Sequence, residues 1–159
     1  MARADGSALE HGLTTVPLEV ERRAPEMLSA QSAMGNQSMR ADLIIEGVTF
    51  DEPPGTLYNV YLQSNDGTRL QVGVMSFFNM SAPQAGDHAH HSAAEGTTFT
   101  FDATEAIRQI RLQEEAQPAL VFEPTTGLSG STMETALQAV SPDANVRFNN
   151  ARIEVDRSE

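Results

Sequence analysis

The tripeptide Asn65-Asp66-Gly67 constrains this chain more than any other feature. Tight turns between antiparallel strands need backbone conformations that Asn, Asp and Gly adopt at least cost. Before the turn, residues 57–63 place Leu57, Asn59, Tyr61 and Gln63 on one face and Tyr58, Val60 and Leu62 on the other. After it, residues 70–78 return as a second strand. A period of two on both sides of such a turn defines a hairpin with one buried face. A lone hairpin is marginal in water, so other strands must cover that face. At the end of the return strand, Phe77 and Phe78 point to opposite sides. One ring enters the core, and the other is left for an interface or an edge.

The rest of the chain supplies those strands. Residues 13–20 alternate through Val16, Leu18 and Val20. A strand over residues 43–50 ends at Asp51-Glu52-Pro53-Pro54-Gly55, because neither Pro can donate to a ladder. Residues 97–101 and 120–122 are short strands, and residues 146–155 form the last one through Val146, Phe148, Ile153 and Val155. Asp102-Ala103-Thr104-Glu105 reads as a capping box that opens a helix over about residues 102–114, with Pro118 beyond it. Residues 125–133 read as a Gly/Ser/Thr loop. Short strands, turn signals and one short helix predict an all-β fold, an antiparallel β-sandwich or jelly-roll-like architecture. Residues 1–12 are small and polar and read as disordered. Residues 1–40 are therefore expected to be an N-terminal tail, a short strand and a linker, with the β domain over residues 41–159.

A chain of 159 residues with 40% apolar composition can bury a core without a metal or a disulfide. Its ten basic residues are all Arg and face 22 acidic ones, a net charge of −12. Residues 41–159 hold six Arg against seventeen acids, so the acidity belongs to the β domain. Such a surface repels phosphate backbones and anionic lipid, which argues against nucleic-acid and membrane partners. It suits docking to a positive protein face. With no Cys, disulfides, thiolate metal sites and Cys nucleophiles are excluded. No apolar run reaches transmembrane length and no signal peptide is evident, so a cytoplasmic location is expected if the chain is full length.

The residues with chemistry to offer cluster in Asp87-His88-Ala89-His90-His91, with Glu95 nearby. Imidazole and carboxylate together suit Cu, Zn, Fe or Ni. His88, His90 and Glu95 reproduce the first half of the metal motif of cupins, which are jelly-roll metalloproteins, with His91 as a further imidazole. The glycines that bracket that motif are replaced by Ala82 and Asp102, and the only other His is His11. Gly127-Leu128-Ser129-Gly130 falls one residue short of a nucleophile elbow, and phosphate-cradling glycine loops are absent.

Several segments in order resemble one family: Leu43-Ile44-Ile45-Glu46-Gly47-Val48, Tyr58-Asn59-Val60-Tyr61-Leu62, Val72-Gly73-Val74-Met75-Ser76-Phe77-Phe78, the His-rich loop, and Phe99-Thr100-Phe101-Asp102-Ala103-Thr104-Glu105-Ala106-Ile107. This order is similar to the C-terminal domain that follows the catalytic core in tyrosinases and polyphenol oxidases, the dinuclear copper oxidoreductases. The resemblance runs over roughly residues 13–156. It implies a non-catalytic β-sandwich that lies over the copper site, stabilises the core and, in latent forms, plugs its entrance with a side chain. Met80 and Leu128 are candidate plugs. The family's core binds two coppers through six His, whereas this chain has four. The copper would therefore sit in a catalytic partner, from the same precursor or a separate subunit, with no cofactor in this chain. Any copper-loading role would fall to His88, His90 and His91. The competing expectation is a small cupin-like metalloprotein that uses His88, His90 and Glu95.

Overall fold

The structure, a computed structural model, describes residues 2–9, 12–20, 39–78, 80, 96–110, 118–128, 130 and 132–157. Among these residues nine strands follow in chain order: β1 (Ala2–Ala8), β2 (Thr14–Pro17), β3 (Glu19–Val20), β4 (Met39–Val48), β5 (Leu57–Gln63), β6 (Arg69–Met75), β7 (Thr97–Asp102), β8 (Ala119–Thr125) and β9 (Arg147–Arg157). Helix α1 (Thr104–Ile110) lies between β7 and β8, and helix α2 (Met133–Ala139) between β8 and β9. A five-stranded sheet has the order β3-β1-β9-β4-β7, and a four-stranded sheet the order β2-β8-β5-β6. Every pairing is antiparallel. Among the described residues, the fold is thus dominated by β structure, in two sheets with two short helices.

The hairpin forms where the turn demands it. Tyr58, Val60 and Leu62 are buried, while the alternate residues of β5 are half-buried. The Gly67 N–H donates to the Ser64 carbonyl at 3.0 Å, and the Thr68 N–H donates to Asp66 Oδ1 at 2.9 Å. Gly67 takes a φ of +86°, which a side chain would oppose. In β4, Ala41, Leu43 and Ile45 point inward, and the ladder to β7 then shifts register between Ile45 and Val48. Gly47 sits in that bulge at φ +65°, with the Asn149 side chain where its Cβ would be. Side chains from both sheets meet in one hydrophobic cluster. Phe122 of β8 and Phe148 of β9 lie 5.6 Å apart between ring centroids across it.

Four expectations need correction. Residues 2–8 are a strand, paired on one side with β3 and on the other with β9. Small side chains suit this place, since a Cβ on Gly6 would fall 2.5 Å from the Phe148 carbonyl oxygen. Residues 13–20 form two strands: at Leu18 the chain leaves β2 in one sheet and enters β3 in the other, and the Leu18 N–H donates to the Pro118 carbonyl. The reciprocal capping box is absent. Asp102 Oδ1 accepts instead from the Thr104 N–H at 2.9 Å, an Asx-type turn. Thr104 Oγ1 in turn accepts the Ala41 N–H at 3.0 Å, which fastens the start of α1 to β4. The expected end of that helix near residue 114 lies outside the described residues. Finally, α2 is a second helix. Thr132 caps it by accepting the Thr135 N–H.

Candidate functional site

Strand register gathers four connections at one end of the two sheets. Leu57 pairs with Thr125 and Tyr58 with Met75, so β5 begins where β6 and β8 finish. Val48 pairs with Thr97, and Thr49 bridges to Arg147, which also pairs with Ala8. Connections 9–13, 49–56, 76–96 and 126–146 therefore all leave from this end. They are also tied to one another. The Leu9 N–H donates to the Val146 carbonyl at 2.7 Å, the Asp51 N–H to the Ala144 carbonyl at 2.7 Å, and the Ser141 N–H to the Pro54 carbonyl at 2.9 Å. A Cβ on Gly55 would stand 2.7 Å from the Ala139 carbonyl oxygen, so the end of α2 presses on the Pro53-Pro54-Gly55 corner.

Beneath this end, the Phe77 ring meets Phe50, Tyr58 and Phe99 edge-on, with centroids 5.5, 6.0 and 6.0 Å away. Edge-to-face packing sets the positive ring edge against the negative face. Phe77 is only 7% exposed, whereas its neighbour Phe78 is 85% exposed. The return strand, expected to run to Phe78, ends at Met75, but the alternation of burial continues beyond it through Ser76 and divides the pair as the sequence implies. The Met80 N–H donates back to the Phe77 carbonyl at 3.2 Å, and the Met80 side chain packs, half-buried, against the core. Leu128 stands out at 74% exposure.

A cleft of about 360 Å³ opens beside them, lined among others by Leu9, Asp51, Tyr58, Ser141, Asn145 and Arg147. Its polar wall is a clamp. Asp51 Oδ1 accepts from Arg147 Nη2 at 3.0 Å, and Oδ2 accepts from Asn145 Nδ2 at 2.9 Å. The Arg147 hydrogen bond first, and the Asn145 one second, hold the Asp51 carboxyl below its ordinary pKa. The clamp joins connection 49–56 to the start of β9. Its donors and acceptors satisfy one another, which marks it as a brace.

The structure brings the two candidate plugs, Met80 and Leu128, to the same end. His88, His90, His91 and Glu95 lie outside the described residues, although Met80 and Gly96, on either side of that segment, belong to this end. Among the described residues, no group of three or more His, Cys, Asp or Glu side chains could hold a metal ion. Nor is any described helix long and apolar enough to cross a membrane. Phe78, the ring left for an interface or an edge, exceeds both candidate plugs in exposure. One feature went unread in the sequence: Met133 and Leu137, 41% and 37% exposed, project from α2. No protein-family model matches this chain, and no curated protein matches its sequence.

Proposed function

We propose that this chain is a non-catalytic accessory domain that docks by its loop-bearing end onto a tyrosinase-like catalytic core, covers the copper site and stabilises the core. One observation carries the reading. Phe78 and Leu128, the two most exposed large apolar side chains among the described residues, project from the same end. Scattered apolar residues need no explanation, but strongly exposed ones carried by loops at one end of the sheets suit a contact surface.

The strand order supports a finer fold. Without the two-residue β3, eight strands pair as a nested hairpin: β1 with β9, β2 with β8, β4 with β7 and β5 with β6. Rolling it up brings β9 beside β4 and β8 beside β5. That is the order of a jelly-roll sandwich. The ordered resemblance to the polyphenol oxidase C-terminal domain points to the accessory role, and the sheets give it a rigid scaffold. The same strand order suits the second reading, a cupin-like metalloprotein built on His88, His90 and Glu95. Metal analysis of the purified, tag-free chain separates the two. One tightly held metal per chain, lost in the His88→Ala/His90→Ala variant, would support the metalloprotein.

The direct test uses the six-histidine core encoded nearest to this chain. On mixing, the chain is expected to slow oxidation of a small phenol and raise the core's melting temperature. Phe78→Ser and Leu128→Ser are expected to weaken both effects. No change in activity or in stability on mixing would remove the accessory reading.

A further inference from the structure

The docking end has an electrostatic character that specifies what it can meet. The described residues of connections 9–13, 49–56, 76–96 and 126–146 include four acids, Asp51, Glu52, Glu134 and Asp143, all exposed, and no Arg. Asp51 is paired with Arg147. Among the described residues, Glu52 accepts one long hydrogen bond, 3.5 Å, from Ser141. The same connections carry four of the six large apolar side chains that are exposed among the described residues: Phe78, Leu128, Met133 and Leu137. Exposed apolar groups thus share one end with the carboxylates of Glu52, Glu134 and Asp143, which have no ion pair among the described residues.

Resting on the accessory reading, we infer that the partner surface which receives this end is an apolar recess rimmed by Arg or Lys. Other occupants fit poorly. A second copy would set one acid-rich end against another, and like charges brought together cost several kcal/mol. Anionic lipid headgroups and nucleic-acid phosphates meet the same repulsion. A basic rim reverses the sign: the carboxylates steer the approach, and the apolar side chains, once desolvated, hold the complex. Rim charges act mainly on the association rate and its salt dependence, and central apolar anchors mainly on dissociation.

That division gives the test, again with the six-histidine core as the probe, at about pH 8 where His is neutral. Association is followed from about 0.01 M to about 1 M NaCl, over which the screening length falls from about 30 Å to about 3 Å. The association rate is expected to drop about tenfold or more. The exposed triple variant Glu52→Gln/Glu134→Gln/Asp143→Asn is expected to associate several-fold more slowly and with a flatter salt dependence. Phe78→Ser is expected to speed dissociation and keep the salt dependence of the wild type. A wild-type association rate indifferent to salt, or a triple variant that associates like wild type, would overturn the basic-rim inference while the accessory reading stands. No binding at any salt concentration would overturn the accessory reading, and the inference with it.

Discussion

Replacing Phe77 and Phe78 by Ala, one at a time, asks adjacent residues of the same type to give opposite results. An aromatic side chain that buries about 150–250 Å² gains roughly 4–6 kcal/mol at about 25 cal/mol per Å². Ala keeps part of that, so truncating a buried Phe costs about 3–5 kcal/mol. Phe77 should fall in this range. It is 7% exposed and touches three aromatic rings drawn from both sheets, so the cavity it leaves cannot collapse on one side alone. Phe78 is 85% exposed and should change stability by no more than about 0.5 kcal/mol. For a domain of this size 1 kcal/mol moves the melting temperature by about 2–4 °C. Phe77→Ala is therefore expected to melt roughly 6–20 °C below wild type, and Phe78→Ala within about 2 °C of it. Differential scanning calorimetry reads both. Equal losses, or a larger loss for Phe78, would refute the division of the two rings and remove the side chain on which the docking surface rests.

Two further outcomes follow from local geometry. Gly47→Ala is expected to cost more than about 1 kcal/mol, from the left-handed backbone and from a Cβ placed against the Asn149 side-chain amide. Adding Asn149→Ala should recover the clash and leave the backbone cost, a coupling that urea unfolding of the four-member cycle measures. Stability is also expected to fall in acid. Glu46 is held below its ordinary pKa chiefly by the Arg152 hydrogen bond, Asp51 by Arg147, and Asp102 by Thr104. A depressed native pKa gives stability that is present above the unfolded value, near 4, and lost as pH falls through the native one. Urea midpoints should therefore hold down to about pH 5 and decline below it. Arg152→Gln should flatten that decline; an unchanged slope would show that Glu46 contributes nothing to it.

The legible parts of the fold are those where local chemistry and packing agree. The β5–β6 hairpin needs a Gly at positive φ and a period of two, and the sequence displays both. The Phe77-Phe78 alternation continues that period past the end of β6 at Met75. β1 hides because its pairing is carried by the backbone. Of Ala-Arg-Ala-Asp-Gly-Ser-Ala, Ala4 is buried and the residues from Arg3 on that flank it are exposed or half-exposed, so no hydrophobic pattern announces a strand. α2 hides for a similar reason: it buries Ala136 and otherwise shows water Met, Glu, Thr, Leu and Gln. Leu18 shows the opposite failure. Val16 and Leu18 are both buried, yet the chain changes sheets at Leu18, and a period of two carries no information about which sheet receives each side chain.

The candidate site escaped the sequence because nothing local assembles it. Met80 and Leu128 are 48 positions apart, and what unites them is the pairing of β6 and β8 with the two edges of β5. The same pairing explains why charge could segregate. Arg residues of the strands find carboxylates along and across the ladders, as Arg152 does with Glu46 and Glu154, and Arg69 with Glu123. These connections hold no Arg at all; among the described residues, Asp51 is balanced by Arg147 at the β9 start, and the other acids are left for another molecule. Exposed ion pairs contribute little to stability. The fold therefore gains little from adding Arg to these connections, and it loses little by leaving their carboxylates open to a partner.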